Sequence, residues 1–406
     1  MKRFLVLFLS VFTLLSNNAF SCTTAVISGK ATSDGRPILW KMRDTDFLKN
    51  YMKYFKSTDS TYAFTGVINS VDTLALEVWA GTNEKGFAIM NSASFNVNLN
   101  DSIKLDNQEG YFMKEALEKC ANLKEFEDLL NKKPKPLGLA AHFGVIDANG
   151  GAAFYEVNNY NWTKYDANDP KVAPDGYVLR TNFSETGKPN IGYGFVRLET
   201  AKELFSEATK NNSINYKTII QDFSRCLYNS VTKNNYRQLY ENKPYSDTFV
   251  HSDNLITSTG AASCTVIQGV LPTEDCSMNT LWTMVGFPNT CITLPIFTNE
   301  DDVMPEVLEY NKTLKNSPLN NYSLKLKDRC YPIDNPDGYH YLLIGKLVNK
   351  EGTGYIQLIE PVEKEIFALT EEKLAKWRSK KPSVKELKAF YNELDKMVEE
   401  LYKDML

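Results

Sequence analysis

Ser21-Cys22-Thr23-Thr24-Ala25-Val26-Ile27-Ser28, then Asp34-Gly35, then Pro37-Ile38-Leu39-Trp40-Lys41-Met42-Arg43-Asp44, is the stretch on which the fold turns. Two β-rich runs joined by Asp-Gly chemistry read as a hairpin, because Gly tolerates the positive φ that a tight turn demands. Folded back, the second run returns Lys41, Arg43 and Asp44 to the start of the first, beside Cys22. A thiol, two cations and a carboxylate are thereby expected at one end of a sheet.

Upstream of this stretch the chain reads as an export signal. Lys2 and Arg3 form a basic start, Phe4 to Leu15 an apolar run, and Ala19-Phe20-Ser21 puts small residues at −3 and −1 to a cut before Cys22. The apolar run is too short for a spanning helix, and no later stretch is long and apolar enough for one. Residues 1–21 are therefore expected to leave an exported protein, periplasmic or secreted, that begins at Cys22. The rival reading is lipidation of Cys22, which Phe20 at −2 and Ala19 at −3 fit poorly.

With 43% hydrophobic and 24% charged residues, the composition is that of a globular protein. A formal net charge of −4 excludes a basic nucleic-acid footprint. Seven cysteines leave one over if six pair in an oxidising compartment, with Cys264, Cys276 and Cys291 the crowded candidates for a disulfide. No CxxC occurs and the three histidines, His142, His251 and His340, lie far apart in the chain, so neither a zinc site nor a cofactor is expected.

Strands are expected at Thr23–Ser28, 37–42, 74–81, 86–92, 140–146, 152–157, 177–182, 256–270 and 280–285, with 355–359 as edge material. Helical periodicity marks 109–130, 195–208, 216–227 and the tail, roughly 371–379 and then from Pro382 to Leu406. Strands, then helices, then strands again suggest an α+β layered sandwich. One domain over 22–406 with a helical extension from about 370 is the expected organisation.

The ordered segments resemble N-terminal-nucleophile hydrolases that cleave linear amides: choloylglycine hydrolases, acid-ceramidase-like amidases and the acyl-CoA:6-aminopenicillanate acyltransferase group. Those proteins begin with Cys and carry an Arg-Asn-x-Asp segment; here it reads Lys41-Met42-Arg43-Asp44, so Asp44 matches the acid while Lys41 or Arg43 supplies the cation. Asn83-Glu84-Lys85-Gly86 is similar to a stretch that runs into an oxyanion-hole asparagine, giving Asn91 with Asn96 in reserve. Arg180-Thr181-Asn182 resembles the segment of the second site asparagine, giving Asn182. Phe195-Val196-Arg197 is similar to a segment of bile-salt-hydrolase-like members and implies a substrate contact for Arg197. The resemblance spans roughly 22–300 and implies an αββα fold, a small-molecule amide substrate, and an activity of either hydrolysis or acyl transfer to an amine. An oligomer is compatible with it.

The chemistry stands beside that resemblance. Amides resist attack, so a thiol needs a base within hydrogen-bond reach. A free α-amine titrates at roughly 7.7–8.0 and would sit on the same residue as the thiol. Asp44 would orient it, and Asn91 and Asn182 would face the oxyanion. Glu156, at a strand end, is expected to touch substrate or buttress the site. Two other classes stay open: a lipid-tethered binding protein without catalysis, and a papain-like protease, for which no Cys-Gly-Ser-Cys-Trp context exists.

Overall fold

The computed structural model describes residues 22–101, 108–299, 301–334 and 338–406. The expected signal, 1–21, lies outside the described residues.

Strand β1 (Thr23–Ile27) is bonded on both edges, to β10 (Tyr177–Arg180) and to β2 (Ile38–Asp44). Beyond β2 follow β14 (Ala261–Gln268), β15 (Thr280–Met284) and β16 (Leu294–Ile296), giving a six-stranded antiparallel sheet. The second sheet is a seven-stranded meander. It comprises β3 (Asn50–Phe55), β4 (Phe64–Asn69), β5 (Ala80–Asn83), β6 (Ala88–Ala93), β7 (Ala141–Ile146), β8 (Ala152–Val157) and β9 (Trp162–Asp166).

The sheets stack face to face. Val26 of β1 approaches β7 so closely that a Cβ on Gly144 would collide with both Val26 and Met90, which is why glycine stands there. On the outer side of the second sheet, α1 (Gln108–Lys119) and α2 (Leu123–Lys132) bury Phe112 and Phe126 against Phe143, with ring centroids 5.2 and 6.2 Å apart. On the outer side of the first, Trp40 packs on Phe205 of α3 (Phe195–Lys210), and Trp282 on Phe367 of α7 (Tyr355–Trp377). The four layers are the αββα sandwich expected from the sequence.

Between these lie short elements: α4 (Tyr216–Thr218) running into a π-helical turn at Ile219–Phe223, the ribbon of β11 (Tyr228–Asn229) and β12 (Asn234–Asn235), and α5 (Tyr236–Tyr240). A second ribbon pairs β13 (Phe249–His251) with β17 (Tyr341–Leu343), and α6 (Pro318–Cys330) packs beside it. The final helix, α8 (Val384–Met405), starts on a capping box at Ser383 and Glu386. Its apolar stripe is internal: Phe390 meets Phe297 and Trp377, and the Tyr391 and Tyr402 hydroxyls accept from the backbone N–H groups of Phe297 and Ile292.

The structure departs from the sequence expectations in several places: the expected 371–379 helix is the end of α7, and the 216–227 helix passes into the π-helical turn that ends at Phe223. The single helix over 109–130 is two, because Asn122 caps a new start by accepting from the Glu125 N–H at 2.9 Å. Only Ala80 onward of the expected 74–81 strand pairs, as β5. The β-rich 355–359 run opens helix α7, since Tyr355, Ile356 and Ile359 share one buried face at helical spacing. All seven cysteines are free, so no disulfide joins Cys264, Cys276 or Cys291.

Candidate active site

The β1–β2 register sets Thr23 opposite Met42 and Thr24 opposite Lys41. Continued one residue, it sets Cys22 opposite Arg43, with Asp44 one step past the Cys22 nitrogen. Alternation along the strands puts Cys22, Lys41 and Arg43 on the face turned toward the second sheet. There they line a cleft of about 720 Å³ together with Asp44, Trp79, Asn91 and Phe95. The expected juxtaposition of thiol, cations and carboxylate is thus present, and both cations are in it.

Lys41 donates from Nζ to Asn91 Oδ1 and to the Trp79 carbonyl, each at 2.6 Å. An ammonium has no acceptor, so this contact turns the Asn91 amide oxygen toward Lys41 and leaves Nδ2 for the cleft. Burial lowers the Lys41 pKa to about 7; Cys22 opposes that shift and Arg43 adds to it. Arg43 donates to Asn50 Oδ1 and Asn69 Oδ1, both at 2.9 Å, and its guanidinium lies 4.7 Å from the Trp79 ring centroid. Held by neutral acceptors and a π-face, it has no carboxylate at ion-pair distance among the described residues. Its pKa falls to about 10 through burial, partly offset by Cys22 and Glu77.

Asp44 is the anomaly of the site. Its Oδ2 accepts from Ser258 at 3.0 Å, while Oδ1 is buried with no hydrogen-bond partner among the described residues. Burial pushes the carboxyl up to about 7, against the pull of Arg197, the Ser258 hydroxyl and Lys327. A buried acceptor left unmade costs about 1–3 kcal/mol, so a native protein that keeps one has another use for it.

Beneath the thiol, Arg197 in the first turn of α3 donates to the Cys22 carbonyl at 2.6 Å, to Thr23 Oγ1 at 2.8 Å and to Asn182 Oδ1 at 3.1 Å. It holds the Cys22 backbone and does not line the cleft, so the structure places Arg197 behind the cleft wall and not at the expected substrate contact.

No family model matches the chain, and no curated protein matches it. Among solved structures the chain is similar to an N-acylethanolamine-hydrolyzing acid amidase ortholog of Caenorhabditis elegans, at 18% identity and TM-score 0.36, over 48% of this chain and 86% of that one. It is similar to a variant of the conjugated bile acid hydrolase of Clostridium perfringens at 12% and 0.42, over 69% and 93%. It is also similar to penicillin V acylase of Agrobacterium tumefaciens at 13% and 0.34, over 68% and 86%. At identities below 25% and TM-scores below 0.5, the chemistry must be read from this chain's own residues.

The remaining sequence candidates sit outside the cleft lining. Asn182 donates from Nδ2 to the Ala93 carbonyl at 3.0 Å and accepts from Arg197, stitching the end of β10 to the end of β6 behind the cleft wall. Asn96, the reserve, spends its amide on Ser94, Ser184 and Lys188. Glu156 accepts from Arg180 Nε, from the N–H groups of Glu185 and Thr186, and from the Thr186 hydroxyl, at 2.7–2.9 Å. It anchors a loop, and of its two expected roles only buttressing matches that position.

His142 is buried between Ser92 (2.9 Å) and Ser184 (2.8 Å), where burial and the Arg180 charge hold it neutral; it does not reach the cleft. Sequence reasoning missed Asn50 and Asn69, on strands of the second sheet, and Trp79, just ahead of β5, none of which carries a motif. It also missed Ser258, which precedes β14 and meets Asp44 only through sheet pairing.

Proposed function

We infer that this protein is an exported cysteine amidase that hydrolyses a linear carbon–nitrogen amide, with Cys22 as the first residue of the working enzyme. The observation that carries the reading is the Oδ1 of Asp44, buried without a hydrogen-bond partner among the described residues, at the end of β2 beside Cys22. While a residue precedes Cys22, its nitrogen is a peptide N–H with no basic lone pair. Once that residue is removed, an α-amine stands beside Asp44, and its cationic form supplies the hydrogen bond and charge the carboxylate lacks. An opposite charge at that range favours ionised Asp44.

The steps follow. The neutral α-amine takes the Cys22 thiol proton, directly or through one water, and the sulfur adds to the amide carbon. Asn91 Nδ2 donates to the oxyanion that forms. The C–N bond breaks as the α-ammonium returns the proton to the leaving nitrogen, leaving a thioester on Cys22. Water adds to that thioester with the α-amine again as base, and expulsion of the sulfur releases the carboxylic acid and restores the thiol. Lys41 holds Asn91 in its donating orientation, and Arg43 offers a cation to an anionic part of the substrate. Apolar acyl groups would lie against Phe47, Trp79 and Phe95.

Intact-mass measurement of the exported protein, alone and after rapid quenching with a panel of acyl amides, tests this. The expected result is a chain starting at Cys22 that gains one acyl mass on that residue. A diacylglyceryl adduct on Cys22 would replace the amidase with a tethered binding protein.

A further inference from the structure

The histidines His251 and His340, 89 positions apart, are brought together by the β13–β17 ribbon, in which His251 pairs with Tyr341 and the Ser252 N–H donates to the His340 carbonyl at 2.8 Å. Their rings lie parallel within 10°, with centroids 5.4 Å apart. Both face one carboxylate: His340 Nδ1 lies 2.7 Å, and His251 Nε2 3.5 Å, from Asp253 Oδ2. One nitrogen from each ring and the carboxylate oxygen all fall within 4.8 Å of one another. Two of the histidines that lie far apart in the chain are thus neighbours in space.

The geometry suits a shared cation better than hydrogen bonds among the three. His340 Nδ1 is buried and, at 2.7 Å from the carboxylate, still makes no aligned hydrogen bond among the described residues. Neither ring uses Oδ2 well as an acceptor, His340 Nδ1 being misaligned at 2.7 Å and His251 Nε2 standing off at 3.5 Å, whereas a metal accepts all three lone pairs at once. We propose that His251, Asp253 and His340 form a divalent transition-metal site of the zinc class that clamps β13 to β17. Two imidazoles and a carboxylate are ligands that zinc takes at about 2.0–2.2 Å, and the imidazoles disfavour calcium or magnesium. Tetrahedral bonds of that length place ligand atoms roughly 3.3–3.5 Å apart. Asp253 Oδ2 already stands at that spacing from His251 Nε2, 3.5 Å, while its 2.7 Å contact with His340 Nδ1 opens by about 0.6 Å as the metal enters. The ring nitrogens close the rest by movement of His251, whose side chain is 59% exposed, and solvent fills the fourth position.

None of the three residues lines the cleft, so the metal's role is to hold chain and not to act on substrate. It would tie down the segment that runs on from Asp253 to Ser258, the residue bonded to Asp44.

The test is titration of the chelator-stripped protein, starting at Cys22, with Co²⁺ followed by absorption and with Zn²⁺ by calorimetry. A Cys22→Ser background removes the cleft thiol from competition. One equivalent should bind without a thiolate charge-transfer band, and His340→Ala and Asp253→Asn should each weaken it about tenfold or more. Should either fail to fold by circular dichroism, His251→Gln, on the exposed side of the ribbon, carries the comparison. No stoichiometric binding, a thiolate band, or affinity unchanged in the folded variants would overturn the site.

Discussion

Two buried carboxylates, Asp44 and Glu156, stand at the ends of strands in facing sheets, and the protein treats them oppositely. Glu156 is saturated: a guanidinium, two backbone N–H groups and a hydroxyl converge on it. Burial alone would raise its pKa, yet Arg180, His142 and those N–H groups hold it below the usual carboxylate range. Asp44 has one hydroxyl and an empty Oδ1, and the same burial lifts it to about 7. A saturated carboxylate is a rivet. An under-saturated one beside a thiol is a socket, and on the proposed mechanism its occupant is the Cys22 α-ammonium.

Substitutions can break or sharpen that contrast. Asp44→Asn should lower kcat by about 10²–10⁴-fold, the range of acid–base contributions, with KM and melting temperature little changed. Steady-state kinetics alongside thermal melts would show it, and an unchanged kcat removes Asp44 from the chemistry. Glu156→Gln should do the reverse. Leaving Arg180 buried beside a neutral amide should cost about 3 kcal/mol or more of stability, while the folded fraction turns over within a few-fold of the parent.

Within the cleft, Asn91→Ala should lower kcat by about 10²–10³-fold if its Nδ2 serves the oxyanion. A change confined to KM would make it a binding residue. The last expected effect is a slope with pH. Lys41 ionises near 10.5 when unfolded and near 7 when folded, so the folded state releases its proton first. Stability of the parent relative to Lys41→Met should therefore rise by up to about 1.4 kcal/mol per pH unit between 7 and 10.5, and run flat below 7. Denaturant melts across that range would read it, and a difference independent of pH would mean that Lys41 is not buried as a cation.

The first hairpin was legible because everything that makes it is local. Asp34-Gly35 sets the turn, strand alternation sets the faces, and from those two facts Cys22, Lys41, Arg43 and Asp44 meet. The four-layer fold followed from strand order together with the resemblance of the segments. What stayed hidden depends on contacts between distant segments. Asn182 and Arg197 sit in segments similar to site motifs, yet Arg197 reaches the Cys22 carbonyl and Asn182 the Ala93 carbonyl, both behind the wall.

No pattern in the chain distinguishes a saturated Glu156 from an unsaturated Asp44, because saturation depends on which N–H groups a loop presents. Helix α7 was misread at 355–359 for the same reason. Tyr and Ile favour strands on average, and packing against the first sheet's outer face overrides that preference.

The central claim is that the Cys22 α-amine fills the socket at Asp44 and acts as the base. The direct measurement compares amide turnover by protein whose first residue is Cys22 with turnover by protein that keeps a single uncleavable residue before it, the two being matched for folding and thiol content. Turnover only in the first is the predicted result, whereas equal rates in both would contradict it.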